Sequence, residues 1–423
     1  MLSQKLLTKV PGELVSTMKK NEKKQKKWVK KRHTLIKNIV HVLLYPYSRI
    51  KYGLRIERLK EGKKRQYLVL YNHQTAFDQF FVGMLFKKHL YYVASEDIFS
   101  NGFVSKLIKF LVNPIPIKKQ STDVRAIMTC IKVAKEGGSI AIAPEGNRTY
   151  SGKTEYMNPS IASLARKLNL PIAFVKIEGG YGTHPRWSDV VRRGRTTARV
   201  SRIMEPGEYF SISDTELAEV IRDELYVNEA NSQNEYFHKK RAQYLERAIY
   251  VCPECKLSIF ESSGDTITCK RCGLAAKYTE RKELISDNAN FSFRFVSDWY
   301  DYQKKFILAL DLAPYYEKPM YEERAMLREV IPYEEKKLIC ENASVQLYAN
   351  RIVVGYREEK EEYSFDEASS LAVLGKNKLN IYLGKRIFQL KGDSRFNALK
   401  YVHIFYRYQQ IRKGEKNGEF LGL

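Results

Sequence analysis

Tyr67-Leu68-Val69-Leu70-Tyr71 is a continuous apolar run of strand length, and it leads directly into Asn72-His73-Gln74-Thr75-Ala76-Phe77-Asp78. Apolar residues with no polar alternation predict a strand buried on both faces, the kind found in a sheet covered by helices. The sequence further on agrees. Tyr91–Ala94 reads as strand, Val104–Leu111 as helix, Ile115–Ile117 as extended, and Val124–Glu136 as a helix closed by Gly137-Gly138. Ser139–Ala143 is then a strand, Pro159–Leu168 a helix with Pro in its first turn, Pro171–Ile177 a strand and Thr196–Ile203 extended. Ser213-Asp214-Thr215-Glu216 is a capping box that opens a helix reaching about Tyr226. Alternating elements over residues 66–235 predict an α/β domain, a mostly buried sheet flanked by helices.

His73 and Asp78 are five positions apart, which on one continuous helix would separate them by about 140°. They meet only if His73 sits on the turn after the strand and Asp78 in the first turn of the next helix. Asp78 would then accept from one imidazole nitrogen, fix the tautomer and leave the other nitrogen as a base. The same two residues also fit a plain turn or cap. Downstream, Ala143-Pro144-Glu145-Gly146-Asn147-Arg148-Thr149 follows another apolar strand. Backbone N–H groups and a guanidinium at one strand end suit a phosphate; a surface turn with a solvated Arg is the alternative.

Taken together, these segments resemble the PlsC-like glycerolipid acyltransferases, a family with four ordered blocks. Asn72 to Asp78 matches its Asn-His-x4-Asp motif, and Asn113-Pro114-Ile115-Pro116-Ile117-Lys118-Lys119 looks like its second block. Ala143 to Thr149 stands for Phe-Pro-Glu-Gly-Thr-Arg-Ser, and Leu170 to Lys176 is similar to the apolar fourth block. The resemblance covers roughly residues 35–230. It implies His73 and Asp78 as catalytic residues, and Lys119, Glu145, Gly146, Asn147, Arg148 and Thr149 around the substrate. It implies acyl transfer from acyl-CoA or acyl carrier protein to the hydroxyl of a lysophospholipid, 1-acylglycerol-3-phosphate first among them. Lys119 and Asn147 depart from the usual Arg and Thr, which leaves the headgroup open, and another lysophospholipid acyltransferase or a transacylase shares the motif.

The 423 residues carry 73 Lys plus Arg against 48 Asp plus Glu, a formal charge of +25, so anionic partners are expected. Hydrophobic residues at 44% exclude global disorder. No apolar run approaches twenty residues and Met1–Val10 has no signal-peptide core, so a peripheral protein on the cytoplasmic face of a membrane is expected. Within residues 1–65, Lys19–Arg32 holds nine basic residues and one acid, and Leu35–Tyr47 is apolar, with Pro46 ending it as a helix. That combination fits an in-plane anchor on an anionic membrane surface. A solvated charge run before a core helix, or a nucleic-acid arm, would read the same way.

Cys252-Pro253-Glu254-Cys255 and Cys269-Lys270-Arg271-Cys272 are two knuckles separated by thirteen residues, the spacing of a four-cysteine zinc ribbon over 249–280. Cys130 and Cys340 have no such partner and read as core thiols. A helical connector is expected over 281–330, and a β-rich domain closed by a helix over 331–412, followed by a tail, 413–423. Its strands are Ser344–Tyr348, Arg351–Tyr356, Ser370–Leu374, Leu379–Leu383 and Arg386–Leu390, with a helix after Asp393-Ser394. Antiparallel strands closed by one helix look like a pleckstrin-homology-like module. The rival class, a zinc-ribbon nucleic-acid-binding protein, leaves the four ordered blocks unexplained, so nucleic acid is not the expected partner.

Overall fold

The structure, a computed structural model, describes residues 27–60, 65–117, 123–230, 233–331 and 334–414. Its first half is built on seven strands: β1 (Leu54–Glu57), β2 (Leu68–Tyr71), β3 (Leu90–Ser95), β4 (Ile115–Ile117), β5 (Ser139–Ile142), β6 (Ile172–Glu178) and β7 (Thr196–Met204). Their order is β1-β7-β6-β2-β5-β3-β4, parallel except between β6 and β7. All four residues of β2 are buried. Leu68 and Leu70 pack on one face with Ile140 and Phe174, while Val69 and Tyr71 pack on the other with Ala141 and Val175. Burial on both faces is why this strand lacks polar alternation.

Because β5 and β6 both run parallel to β2 and flank it, their carboxyl ends open on the same edge of the sheet as His73. Loops after adjacent parallel strands form the crevice where ligands of open α/β sheets bind. Strand β1 carries almost no sequence signal: four alternating residues, Leu54-Arg55-Ile56-Glu57, inside the segment expected to belong to the membrane interface. It joins the sheet by pairing with β7.

Helix α1 spans Lys31–Tyr52, so Pro46 does not end it. A mid-helix proline forfeits one backbone hydrogen bond. Here the turn around Pro46 is exposed, and the helix is held beyond it by Tyr52, whose ring packs 5.0 Å from Phe77 and 5.5 Å from Phe81. Gly53, in the left-handed region at φ 57°, then caps the helix onto Ser48 O. The burial of α1 is inverted relative to an ordinary core helix. His33, Lys37, Ser48 and Tyr52 face inward, with Lys37 Nζ donating to Phe86 O at 2.6 Å. Leu35, Ile39, Val42, Leu43 and Ile50 face out, Val42 being 73% and Ile50 85% exposed. Helix α2 (Asp78–Leu85) follows His73, and helix α3 (Gly102–Leu111) also turns Phe103, Val104 and Phe110 outward. Among the described residues no helix is long and apolar enough to cross a membrane. The basic run from Lys19 lies outside them as far as residue 26.

Residues 251–285 form six short strands that include a four-stranded antiparallel sheet carrying Thr266–Cys269 and Ala275–Tyr278. A helix, Val296–Ala309, follows within the expected connector, but Tyr321–Glu329 is a strand. That strand pairs with Lys337–Leu347 and with Arg386–Gly392 at the centre of a seven-stranded antiparallel sheet. Its sequence, Tyr-Glu-Glu-Arg-Ala-Met-Leu-Arg-Glu, is charged on its solvent side, which masks the strand pattern. Glu359–Ser364, with four charged residues in succession, is hidden the same way. Helix Leu399–Lys413 closes this sheet.

One apolar cluster runs from Tyr150, Tyr181 and Trp187 through Val251 and Ile267 of the cysteine module to Leu371, Val402 and Phe405 of the last domain. The three parts share a core.

Candidate active site

The turn after β2 brings His73 and Asp78 together: His73 Nδ1 lies 2.8 Å from Asp78 Oδ2. Asp78 is fully buried in the first turn of α2, where a helix N-terminus favours negative charge. Its Oδ2 also accepts from Gln74 N at 2.6 Å and Thr75 N at 2.9 Å, and its Oδ1 from Thr75 Oγ1 at 2.7 Å. Since a carboxylate oxygen accepts, Nδ1 donates and Nε2 is the bare nitrogen. The His73 side chain is 23% exposed, which leaves it reachable. Burial pushes its pKa below the ordinary value, outweighing the bond and charge of Asp78, which act the other way; Arg148 and Arg186 also lower it. A lowered pKa keeps the imidazole neutral at pH 7, the state a base requires.

Glu145 closes the back of this turn. Its Oε1 accepts from His73 N at 2.8 Å and its Oε2 from Glu155 N at 3.2 Å. Burial pushes its pKa up to about 8, against those two N–H donors. Thr149 N donates to His73 O at 3.1 Å, while Thr149 Oγ1 bonds Gly152 N and Ser151. Both side chains are spent on backbone and neighbours, so they position His73 and leave the open side to others. Gly146, at φ 67°, supplies the left-handed turn between them, with no atom where a Cβ would stand. Asn147 and Arg148 sit on the same turn, half-buried. Lys119 lies outside the described residues.

Arg148 Nη1 is buried with no hydrogen-bond partner, and its own carbonyl accepts from Arg186 Nη1 at 3.0 Å. Burial, then the like charge of Arg186, lowers the Arg148 pKa to about 10. Anions nearby relieve such strain. His184 and Arg186 were not among the sequence candidates. They follow β6 in Gly179-Gly180-Tyr181-Gly182-Thr183-His184-Pro185-Arg186, and the three glycines were the available signal. A Cβ on Gly182 would stand 2.2 Å from the Tyr236 ring, so only glycine lets this loop pack so closely.

At the cysteine module, the four Sγ atoms of Cys252, Cys255, Cys269 and Cys272 lie within 4.8 Å of one another. Cys252–Cys272 and Cys255–Cys269 are 3.6 and 3.5 Å apart. Tetrahedral zinc with about 2.3 Å bonds needs sulfurs about 3.8 Å apart, so the donor set fits a closed thiolate site. Lys256 at φ 66° and Gly273 at φ 79° follow the second cysteine of each pair and make the tight turns. Ser258 Oγ is 3.1 Å from Cys269 Sγ, a supporting contact. Cys130 is buried in the first domain's core.

Comparison with known proteins gives one domain assignment: residues 51–178 match the acyltransferase family model. Among solved structures, the 1-acyl-sn-glycerophosphate (LPA) acyltransferase PlsC from Thermotoga maritima aligns at 21% identity and TM-score 0.38, covering 46% of this chain and 76% of its own. The N-terminal PH domain of human ARAP2 aligns at 14% identity and TM-score 0.19, over 23% of this chain and 87% of its own. No curated protein sequence matches the chain.

Proposed function

We propose that this chain, whose residues 51–178 match the acyltransferase family model, acylates the free hydroxyl of a lysophospholipid from an acyl thioester, converting 1-acylglycerol-3-phosphate to phosphatidic acid. The observation that carries this reading is the His73–Asp78 pair, with Nε2 bare, beside an unsatisfied Arg148 Nη1.

A glycerol hydroxyl is a poor nucleophile at neutral pH. His73 Nε2 removes its proton as the oxygen attacks the thioester carbonyl, and Asp78 holds the ring and stabilises the transient imidazolium. The tetrahedral intermediate expels the thiolate, which takes the proton back from His73, so no acyl-enzyme is required. Arg148 binds the acceptor's phosphate and fixes the hydroxyl, as its permanently charged fork allows. The acyl donor is acyl-CoA or acyl carrier protein, both anionic and suited to the +25 charge.

The inverted burial of α1 and the outward Phe103, Val104 and Phe110 support attachment to an anionic membrane face. Each buried Leu or Ile there would contribute about 1.5–3 kcal/mol. The cysteine module would hold structural zinc, and the closing β domain a pleckstrin-homology-like fold. An assay of acyl transfer from acyl-CoA and from acyl carrier protein across lysophosphatidate, lysophosphatidylcholine and lysophosphatidylethanolamine tests the reaction. Phosphatidate formation supports it; absence of transfer to any of the three with either donor type removes it.

A further inference from the structure

The turn Gly375-Lys376-Asn377 joins strands Ala368–Leu374 and Lys378–Leu383 of the closing domain, and in sequence it is only a hairpin connector. In the folded chain it lies against the Arg148 loop. Arg186, 2% exposed, bridges the two: Nη1 to Arg148 O at 3.0 Å, Nε to Gly375 O at 3.2 Å and Nη2 to Val373 O at 3.0 Å. Its guanidinium also lies 4.4 Å over the Tyr150 ring. One buried side chain thus fixes the backbone before Lys376 to the backbone at Arg148.

Lys376 Nζ, so delivered, pairs with Asp189 Oδ1 at 2.7 Å. Arg247 already holds that carboxylate, at 2.8 and 3.1 Å. Arg247 and Lys376 therefore share one carboxylate, and the Arg148 charge also acts on Lys376, so cations are in excess here. His184 faces this cluster: Lys376, Arg148 and Arg192 all act on it electrostatically, as does Asp189. His184 is 7% exposed, and neither of its ring nitrogens has a hydrogen-bond partner. Arg148 Nη1 and the Tyr150 hydroxyl are likewise buried and unpaired. Unsatisfied polar groups are rare in a folded interior, and several together at a cationic centre mark a place built for an occupant.

We propose that Lys376 and His184 complete, with Arg148, the site for the acceptor's phosphate, so that the closing β domain is a wall of the active site and selects acceptors with a terminal phosphomonoester. This rests on the lysophospholipid reading above. A phosphate there satisfies Arg148 and His184 and offsets the like charge of Arg186, which after burial lowers the Arg148 pKa. A phosphodiester headgroup carries one charge fewer and a substituent that must fit against the turn at Lys376. Both count against it.

Titration calorimetry with sn-glycerol 3-phosphate on the full chain tests the site without requiring turnover. Lys376→Ala should weaken binding about 10- to 100-fold, the weight of one charge-assisted hydrogen bond, and raise KM for lysophosphatidate while sparing kcat. Lys376→Arg should recover most of the binding. Asp189→Asn distinguishes a ligand from a domain clamp, because it breaks the ion pair yet keeps the Lys376 charge. Binding by Asp189→Asn equal to or tighter than wild type supports the site. Equal weakening in Lys376→Ala and Asp189→Asn, unchanged binding in Lys376→Ala, or no binding by wild type overturns it. If Lys376→Ala fails to fold by thermal unfolding, Lys376→Gln provides the same comparison. Loss of all acyl transfer with intact, Lys376-dependent phosphate binding would reject the proposed reaction and keep the site.

Discussion

Asp78 draws its four hydrogen bonds from residues 73–75, whereas the groups gathered near Arg148 come from residues 184–186 and 376. On the His73 side each Asp78 oxygen has a donor, and the turn is complete without a ligand. On the Arg148 side a guanidinium nitrogen, two imidazole nitrogens and a phenol are buried without partners. Under the proposed reaction, the difference separates two tasks. A base must be preorganised before substrate arrives, while an anion site keeps its donors unspent until the anion fills it.

The contrast is most severely tested on its satisfied side. Asp78→Asn should lower kcat by about 10²–10⁴-fold with little change in KM, because an amide no longer enforces the Nδ1–H tautomer. In the wild type, kcat/KM should fall with decreasing pH only below about 6.5, since His73 must be neutral and its folded pKa is depressed. An acid limb above pH 7 would contradict the assignment. On the open side, Arg148→Ala should raise KM for lysophosphatidate about 10- to 100-fold with a smaller change in kcat. Arg148→Lys should restore part of it, since a point charge replaces a fork.

Smaller effects reach the surroundings. Leu43→Glu, on the exposed stripe of α1, should weaken co-sedimentation with anionic vesicles about tenfold, and unchanged sedimentation would put the contact elsewhere. Chelation of zinc or Cys255→Ser should lower the unfolding temperature by several degrees. It should also cut activity a few-fold, because the module's core is continuous with Tyr150 and Trp187, and Tyr278 packs 5.7 Å from Trp187. Full stability and no zinc in the purified protein would remove the metal from the account.

What the sequence makes legible follows the same division. His73 and Asp78 are five residues apart and joined by local bonds, so a strand-turn-helix reading brings them together. The four cysteines are legible for the same reason: each knuckle is local. Lys376 is 228 positions from Arg148, and nothing short of the folded chain brings its turn to that loop. Strand Tyr321–Glu329 is missed because its charged solvent face hides the alternation, and β1 because four residues are too few to show one. Pro46 misleads because a helix tolerates a missing bond when tertiary packing holds both sides of it.

The most direct test of the account measures thermal unfolding and acyl transfer to lysophosphatidate on a single preparation of His73→Ala. The account predicts near-normal unfolding, with turnover reduced by about 10²–10⁴-fold, the contribution of a positioned acid–base group. Near-normal unfolding with near-normal turnover would contradict it.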